Sequence, residues 1–315
     1  MKALLHYRAS EQLCQQIADQ MPDWLNLAIA DPEDEVSVRN HLGSTEVLLH
    51  VLSPADATLM EAAPKLRLIQ KIGVGVNTID LKEAKRRGIL VANMPGTNSR
   101  AVAEMALALL LCAIRKIPTF DRAVRVGRGW SLPADILDDA SEVCGKVVGL
   151  VGFGEVPRRL APILKAMGAE VIFTDRRPIE SPNAEFVSID DLIRCSDIIS
   201  LHVPLTAETH HMLDASRLKK MKRGVVIINT ARGELINEQH LIEGLVSGHV
   251  RCAGLDVLDN EPVNPDHPLL ILPNVVLTPH VAWLTPETIE RSLSVAIENC
   301  RLLKDGMTLL NQVSS

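Results

Sequence analysis

The stretch from Lys146 to Asp175, KVVGLVGFGEVPRRLAPILKAMGAEVIFTD, leaves this chain few choices of fold. An apolar run, Val147 to Val151, enters a glycine turn, Gly152-Phe153-Gly154. Ala161, Leu164 and Met167 then recur at helical spacing, and a second apolar run, Val171 to Phe173, leads to Asp175. Strand, tight turn, helix and strand, with a carboxylate about twenty residues past the turn, is the context of a dinucleotide site. Gly152 and Gly154 let the backbone approach a pyrophosphate, the helix N-terminus offers unpaired N–H groups, and Asp175 can accept hydrogen bonds from a ribose diol.

Two residues depart from the usual fingerprint. Pro157 stands at the third glycine of G-x-G-x-x-G, so the close helix–strand contact must be arranged differently. Proline is tolerated in the first helical turn, where its missing N–H would be unpaired anyway. Glu155 puts a negative charge where phosphates would sit, with Arg158 and Arg159 near enough in sequence to offset it. Taken alone, the stretch also fits an ordinary βαβ unit whose glycines only make a turn.

With 315 residues, 47% of them hydrophobic and 23% charged, the chain can build two soluble globular domains. A net charge of −6 and the lack of a long basic run argue against a nucleic-acid or anionic-membrane partner. The N-terminal MKALLHYRASEQL has too short an apolar segment for a signal peptide, and the run Met105 to Ile114 is well short of a membrane span. Cys14, Cys112, Cys144, Cys195, Cys252 and Cys300 form no C-x-x-C pair. They read as reduced core thiols of a cytoplasmic protein, neither a disulfide set nor a metal site.

Short apolar runs alternate with helical patterns from residue 2 onward, which predicts parallel sheets flanked by helices. Strands are expected at Ala3 to His6, Leu25 to Ala30, Val47 to Leu52, Leu66 to Ile72 and Ile89 to Ala92. Gly73-Val74-Gly75-Val76 follows one of them and could present bare N–H groups to an anion, or simply make a tight connection. After the breaker cluster Asn93 to Ser99, a helix apolar on nearly every side is expected from Arg100 to about Ile117. Such a helix must be buried on several faces, between two domains or against another subunit. Beyond Asp175, polar residues gather at the ends of successive strands. They are His202-Val203-Pro204-Leu205-Thr206, Thr230-Ala231-Arg232-Gly233, Asp256 and Pro279-His280. Open α/β sheets bind ligands at that carboxyl edge.

Arg232, Glu261 and His280 differ in kind from the rest and could converge on one cleft. A histidine beside a carboxylate is a proton donor and acceptor whose charged form the partner favours. An arginine can hold a substrate carboxylate bidentately and polarise an adjacent carbonyl. Singly, each has a plainer reading: a surface ion pair, a loop residue before Pro262, and a turn former after Pro279.

The chain resembles the D-isomer-specific 2-hydroxyacid dehydrogenase family over nearly its whole length. The resemblance rests on Gly73 to Val76, Asn93 to Glu104, the glycine turn with Asp175, Leu201 to Thr206, Asn229 to Gly233, Gly254 to Pro262 and Thr278 to Trp283. It implies that Arg232 binds the substrate carboxylate and carbonyl, that His280 exchanges the proton, and that Glu261 keeps His280 protonatable. It implies that Val74 and Gly75 receive the carboxylate. Gly152, Gly154, Glu155 and Val156 would lie at the pyrophosphate, and Asp175 at the adenosine ribose. His202, Val203, Pro204 and Thr206 would line the cofactor groove, with Thr230, Ala231, Arg232, Asp256 and His280 on the nicotinamide side. Pro157 replaces the family's glycine, and Glu155 stands where a basic residue is common.

The expected architecture is therefore two Rossmann-like domains with the active site in the cleft between them. A flavodoxin-like substrate domain would span 1–97 plus 285–315, and an NAD-binding domain 98–284. Asp175 favours NAD, while Arg176 and Arg177 leave NADP open. The strand end His50 to Pro54 carries no Arg or Lys, which points away from a phosphorylated substrate toward glyoxylate or hydroxypyruvate. The resemblance and the apolar helix suggest a homodimer. A competing reading of the same fold is a dinucleotide-sensing binding protein of the corepressor kind, without enzymatic activity.

Overall fold

The computed structural model describes residues 1–313, so Ser314 and Ser315 of the expected substrate domain lie outside the described residues. Its strands are β1 (Lys2–His6), β2 (Asn26–Ala30), β3 (Val47–His50), β4 (Leu68–Lys71), β5 (Leu90–Ala92), β6 (Val147–Val151), β7 (Glu170–Thr174), β8 (Glu185–Phe186), β9 (Ile198–Leu201), β10 (Val225–Asn229), β11 (Val250–Leu255) and β12 (Val275–Leu277). Two units result: Met1–Asn98 with the chain from Leu284 onward, and Ser99–Trp283.

The smaller unit holds the parallel sheet β2-β1-β3-β4-β5. Its central strands are buried on both faces, as a sheet covered by helices on each side requires. Asp34, Asp56 and Asp80 cap the helices Glu35–Leu42, Ala57–Ala62 and Leu81–Arg86 by accepting from the third backbone N–H beyond. The first of these helices escapes the periodicity test because only Val38 and Leu42 are buried in it. The helix Pro286–Lys304, capped by Thr285, returns the chain to this unit. There Asn299 Nδ2 donates to Gln70 Oε1 (2.6 Å), and Val313 N–H donates to Val91 O (2.8 Å).

The larger unit holds the parallel sheet β12-β11-β10-β9-β6-β7-β8. Strand order reverses between β6 and β9, which opens a ligand crevice at their carboxyl ends. The long apolar helix ends earlier than expected. It runs Ser99–Ile114 and stops short of Ile117, because Lys116 is left-handed (φ 55°) and Pro118 starts a second helix, Ile117–Arg125. Its Leu109 and Leu110 share one core with Val148, Leu150 and Leu160. The thiols need correction too. Cys252 and Cys300 are buried, and burial pushes their pKa values up to about 11 and about 12, but Cys144 and Cys195 are exposed. Among the described residues no helix is long and apolar enough to cross a membrane, and no His, Cys, Asp and Glu cluster suits a metal.

Candidate active site

The glycine turn sits at the reversal point. Gly152 has φ 92°, and a Cβ there would stand 2.8 Å from His202 O and 2.9 Å from Val203 Cγ1, so the ends of β6 and β9 can touch only at glycine. A Cβ on Gly154 would meet nothing within 4 Å, which leaves open space beside the turn. Glu155 opens the helix Glu155–Ala166, and its carboxylate lies 3.5 Å from Arg159. The N–H groups of Glu155 and Val156 fall in the first turn, where no helical acceptor exists. Pro157 is buried in that same turn, where its missing N–H removes no helical bond.

Asp175 accepts from Phe153 N–H (2.8 Å) on one oxygen and from Arg176 N–H (2.7 Å) on the other, which fixes its carboxylate beside the turn. Phe153 stacks on Phe173 at 3.8 Å between ring centroids and locks the turn into the core. Beyond β9, His202 Nε2 lies 2.9 Å from Ser200 Oγ, and burial pushes its pKa down to about 4. Pro204 O and Thr206 N–H both engage the Thr209 hydroxyl, and Thr206 Oγ1 donates to Glu208. Thr230 Oγ1, at the end of β10, is buried without a hydrogen-bond partner. An orphaned hydroxyl, an open glycine turn and an oriented carboxylate fit a dinucleotide.

Asn229 shapes the next segment: its Nδ2 donates to Arg232 O (2.7 Å) and its Oδ1 accepts from Ala231 N–H (3.0 Å). Gly233 is forced, since a Cβ there would stand 2.0 Å from Leu258 C. The loop bearing Glu261 therefore presses on the backbone beside Arg232. Glu261 Oε1 accepts from Leu258 N–H (2.9 Å), and Oε2 lies 2.6 Å from His280 Nδ1. Burial opposes the Glu261 charge. The His280 hydrogen bond and charge, the Leu258 N–H and Arg232 outweigh it, so its pKa lies below the ordinary carboxylate value. Burial pulls Arg232 down from its usual pKa, opposed by the charges of Glu234 and Glu261. Arginine stays charged all the same.

Asp256 is 1% exposed and gathers the loop that carries His280. It accepts from Thr278 Oγ1 (2.5 Å), Val281 N–H and Ala282 N–H (both 2.9 Å). Spacing gave no sign of this supporting role, nor of the roles of Asn229 and Phe153.

Residues 107–282 match the sequence profile described as D-isomer specific 2-hydroxyacid dehydrogenase, NAD binding domain. The chain is 38% identical to a glyoxylate reductase of Korarchaeum cryptofilum over 284 residues, 88% of this chain and 85% of that protein. The chain belongs to the D-isomer-specific 2-hydroxyacid dehydrogenases. The TT0316 protein of Thermus thermophilus superposes on this dehydrogenase with a TM-score of 0.87 at 33% identity over 100% of both chains. An NADPH-dependent glyoxylate/hydroxypyruvate reductase from Sinorhizobium meliloti, solved with NADP and malonate, has a TM-score of 0.83 at 27% identity over 99% of this chain and 96% of that one.

Val74 and Gly75 of this dehydrogenase lie in the smaller unit, on the turn after β4. Asn93 Nδ2 donates to Val74 O (2.9 Å) and Met94 N–H donates to Gly73 O (2.8 Å). The expectation that the nearby end of β3 has no cation fails. Lys71 closes β4 in register with His50, and its Nζ donates to Val51 O. A scan along one segment misses it because the neighbour comes from the next strand.

Proposed function

We propose that this dehydrogenase interconverts small 2-keto acids of the glyoxylate and hydroxypyruvate type with their D-2-hydroxy acids. The observation that carries the reading is the 2.6 Å pair of His280 Nδ1 and Glu261 Oε2 beside Arg232. With Nδ1 engaged by Glu261, Nε2 is the His280 atom left to give the carbonyl oxygen its proton in reduction and to take it back in oxidation. Arg232 holds the substrate carboxylate and polarises the carbonyl, and the Val74 and Gly75 N–H groups also receive the carboxylate. When bound there, NAD(P)H would supply the hydride chemistry. Gly152, Gly154 and Val156 would hold its pyrophosphate, Asp175 its adenosine ribose, and Thr230 its nicotinamide side.

The test is His280→Ala. General acid catalysis is worth on the order of 10²–10⁴-fold, so turnover of glyoxylate should fall by that factor while NADH binding, read by fluorescence, stays close to the parent. Parent-like turnover would end the mechanism. Parent protein that binds NADH but turns over no 2-keto acid would favour the sensor reading.

A homodimer forms part of the same proposal, supported by exposed apolar side chains. Trp130 is 90% and Ile271 84% exposed, and Val126, Leu270 and Ile271 line a cavity of about 620 Å³ with Arg122 and Arg251. A cluster of this kind marks a protein-binding face. Light scattering should report a dimer, and a monomer at micromolar concentration would end that part of the reading.

A further inference from the structure

The carboxyl edge of the smaller sheet carries a row of basic side chains that the chemistry above leaves unused. His6, His50 and Lys71 close β1, β3 and β4 and stand side by side in the sheet register. Strand order reverses between β1 and β3, the place where open α/β sheets bind ligands. His50 is fully buried, and His6 and Lys71 are only 6% and 4% exposed. Burying polar and charged groups is costly, so such a row at a sheet edge points to function. His6 Nδ1 is in addition buried without a hydrogen-bond partner.

Lys71 Nζ donates to Val51 O and lies 3.4 Å from His50 Nδ1. An ammonium has no lone pair, so Nδ1 must be the acceptor and the His50 proton sits on Nε2, which faces Thr78 Oγ1 at 3.4 Å. Burial first, and then the Lys71 charge, push the His50 pKa down to about 3, so the imidazole is a neutral mooring for the lysine. The lysine stem passes Gly73, the first residue of the loop after β4. Its Cε lies 3.7 Å from where a Cβ on Gly73 would stand. That loop is the Gly73-Val74-Gly75 turn, braced by Met94 N–H on Gly73 O and Asn93 Nδ2 on Val74 O.

We propose that Lys71 is a positioning residue for the substrate. Its ammonium, moored by Val51 O and His50 beside the Gly73–Gly75 turn, supplies the positive potential with which that turn holds the 2-keto acid's carboxylate. The inference rests on the reading that Val74 and Gly75 receive that carboxylate. Backbone N–H dipoles alone are weak anion receptors, and a fixed cation behind them in a dry setting strengthens them.

The test compares parent, Lys71→Met, Lys71→Gln, Lys71→Arg and Arg232→Gln. It measures glyoxylate reduction, inhibition by oxamate and by its uncharged counterpart oxamide, and NADH binding by fluorescence. The neutral variants should raise the glyoxylate KM and the oxamate inhibition constant on the order of 10-fold, with kcat within about twofold. The oxamide constant and NADH affinity should not move, and Lys71→Arg should recover most of the loss. Lys71→Gln keeps a donor for Val51 O and carries the test if Lys71→Met does not fold. An unchanged glyoxylate KM, or equal losses for oxamate and oxamide, would overturn the role of Lys71. Arg232→Gln separates the two failures. If it raises KM and the Lys71 variants do not, only the lysine's role falls. If none raises KM, the placement of the carboxylate falls with it.

Discussion

His280 holds a left-handed backbone (φ 54°), rare for a residue with a Cβ, because its N–H is shared between Asp256 O (2.8 Å) and Thr278 O (3.1 Å). The same Asp256 ties down Thr278, Val281 and Ala282 with its carboxylate, so the imidazole is aimed by its backbone before Glu261 touches it. Glu261 then adds charge. Its pKa is depressed in the folded protein, so its contribution to stability is present above the ordinary value near 4.5 and is lost as pH falls through the lowered one. Glu261→Gln should therefore melt below the parent at pH 6, and the gap should narrow as pH falls below about 4.5. At neutral pH its reduction turnover should drop on the order of 10-fold, less than for loss of His280 itself. A melting gap that stays constant across this pH range would show that the charge of Glu261 is not what matters.

At the scale of the element, the helix Glu155–Ala166 begins with the wrong charge for a phosphate site yet keeps the right backbone. Its first N–H groups are intact, Pro157 falls where no bond is lost, and Arg159 partly offsets Glu155. Both partners of that pair are well exposed, so the offset is weak and screened by salt. Glu155→Gln should therefore tighten NADH, by roughly 2- to 10-fold at low salt and less at high salt. A fluorescence titration measures this directly, and weaker binding would mean that Glu155 helps hold the cofactor. The same titration run with NADPH tests Asp175, whose pinned carboxylate should repel a 2′-phosphate and make NADPH the weaker ligand.

For the whole molecule, histidines held neutral contribute to the response to acid. His50 and His202 have pKa values pushed down to about 3 and about 4, chiefly by burial. Unfolding releases them to ordinary values near 6.5, so the unfolded chain binds more protons and stability falls with pH from about 6.5 downward. His202 alone should cost on the order of 3 kcal/mol by pH 4, since one pKa unit corresponds to about 1.4 kcal/mol. His202→Gln keeps a partner for Ser200 and cannot titrate. Its denaturant midpoint should decline less than the parent's between pH 7 and pH 4, and parallel declines would defeat this account.

The alternation of strand and helix, the glycine turn and the carboxylate at Asp175 were legible in the chain itself. Each is a local matter of period and turn chemistry carried by residues close in sequence. The polar strand ends were legible for the same reason. The pairing of Glu261 with His280 was expected from the family resemblance, and the structure places the two 2.6 Å apart, whereas the bracing of Arg232 by Asn229 and the gathering of the His280 loop by Asp256 were not expected. The Asp256 and Glu261 contacts join the segments that follow β11 and β12, adjacent strands whose order is set by long-range packing, while the Asn229 brace is a local turn that the apolar pattern does not mark. The packing of Leu109 and Leu110 against Val148, Leu150 and Leu160 was also decided by tertiary contacts. So was the row of His6, His50 and Lys71. Those residues lie far apart in sequence and become neighbours only because the parallel register of β1, β3 and β4 ends all three strands at one level.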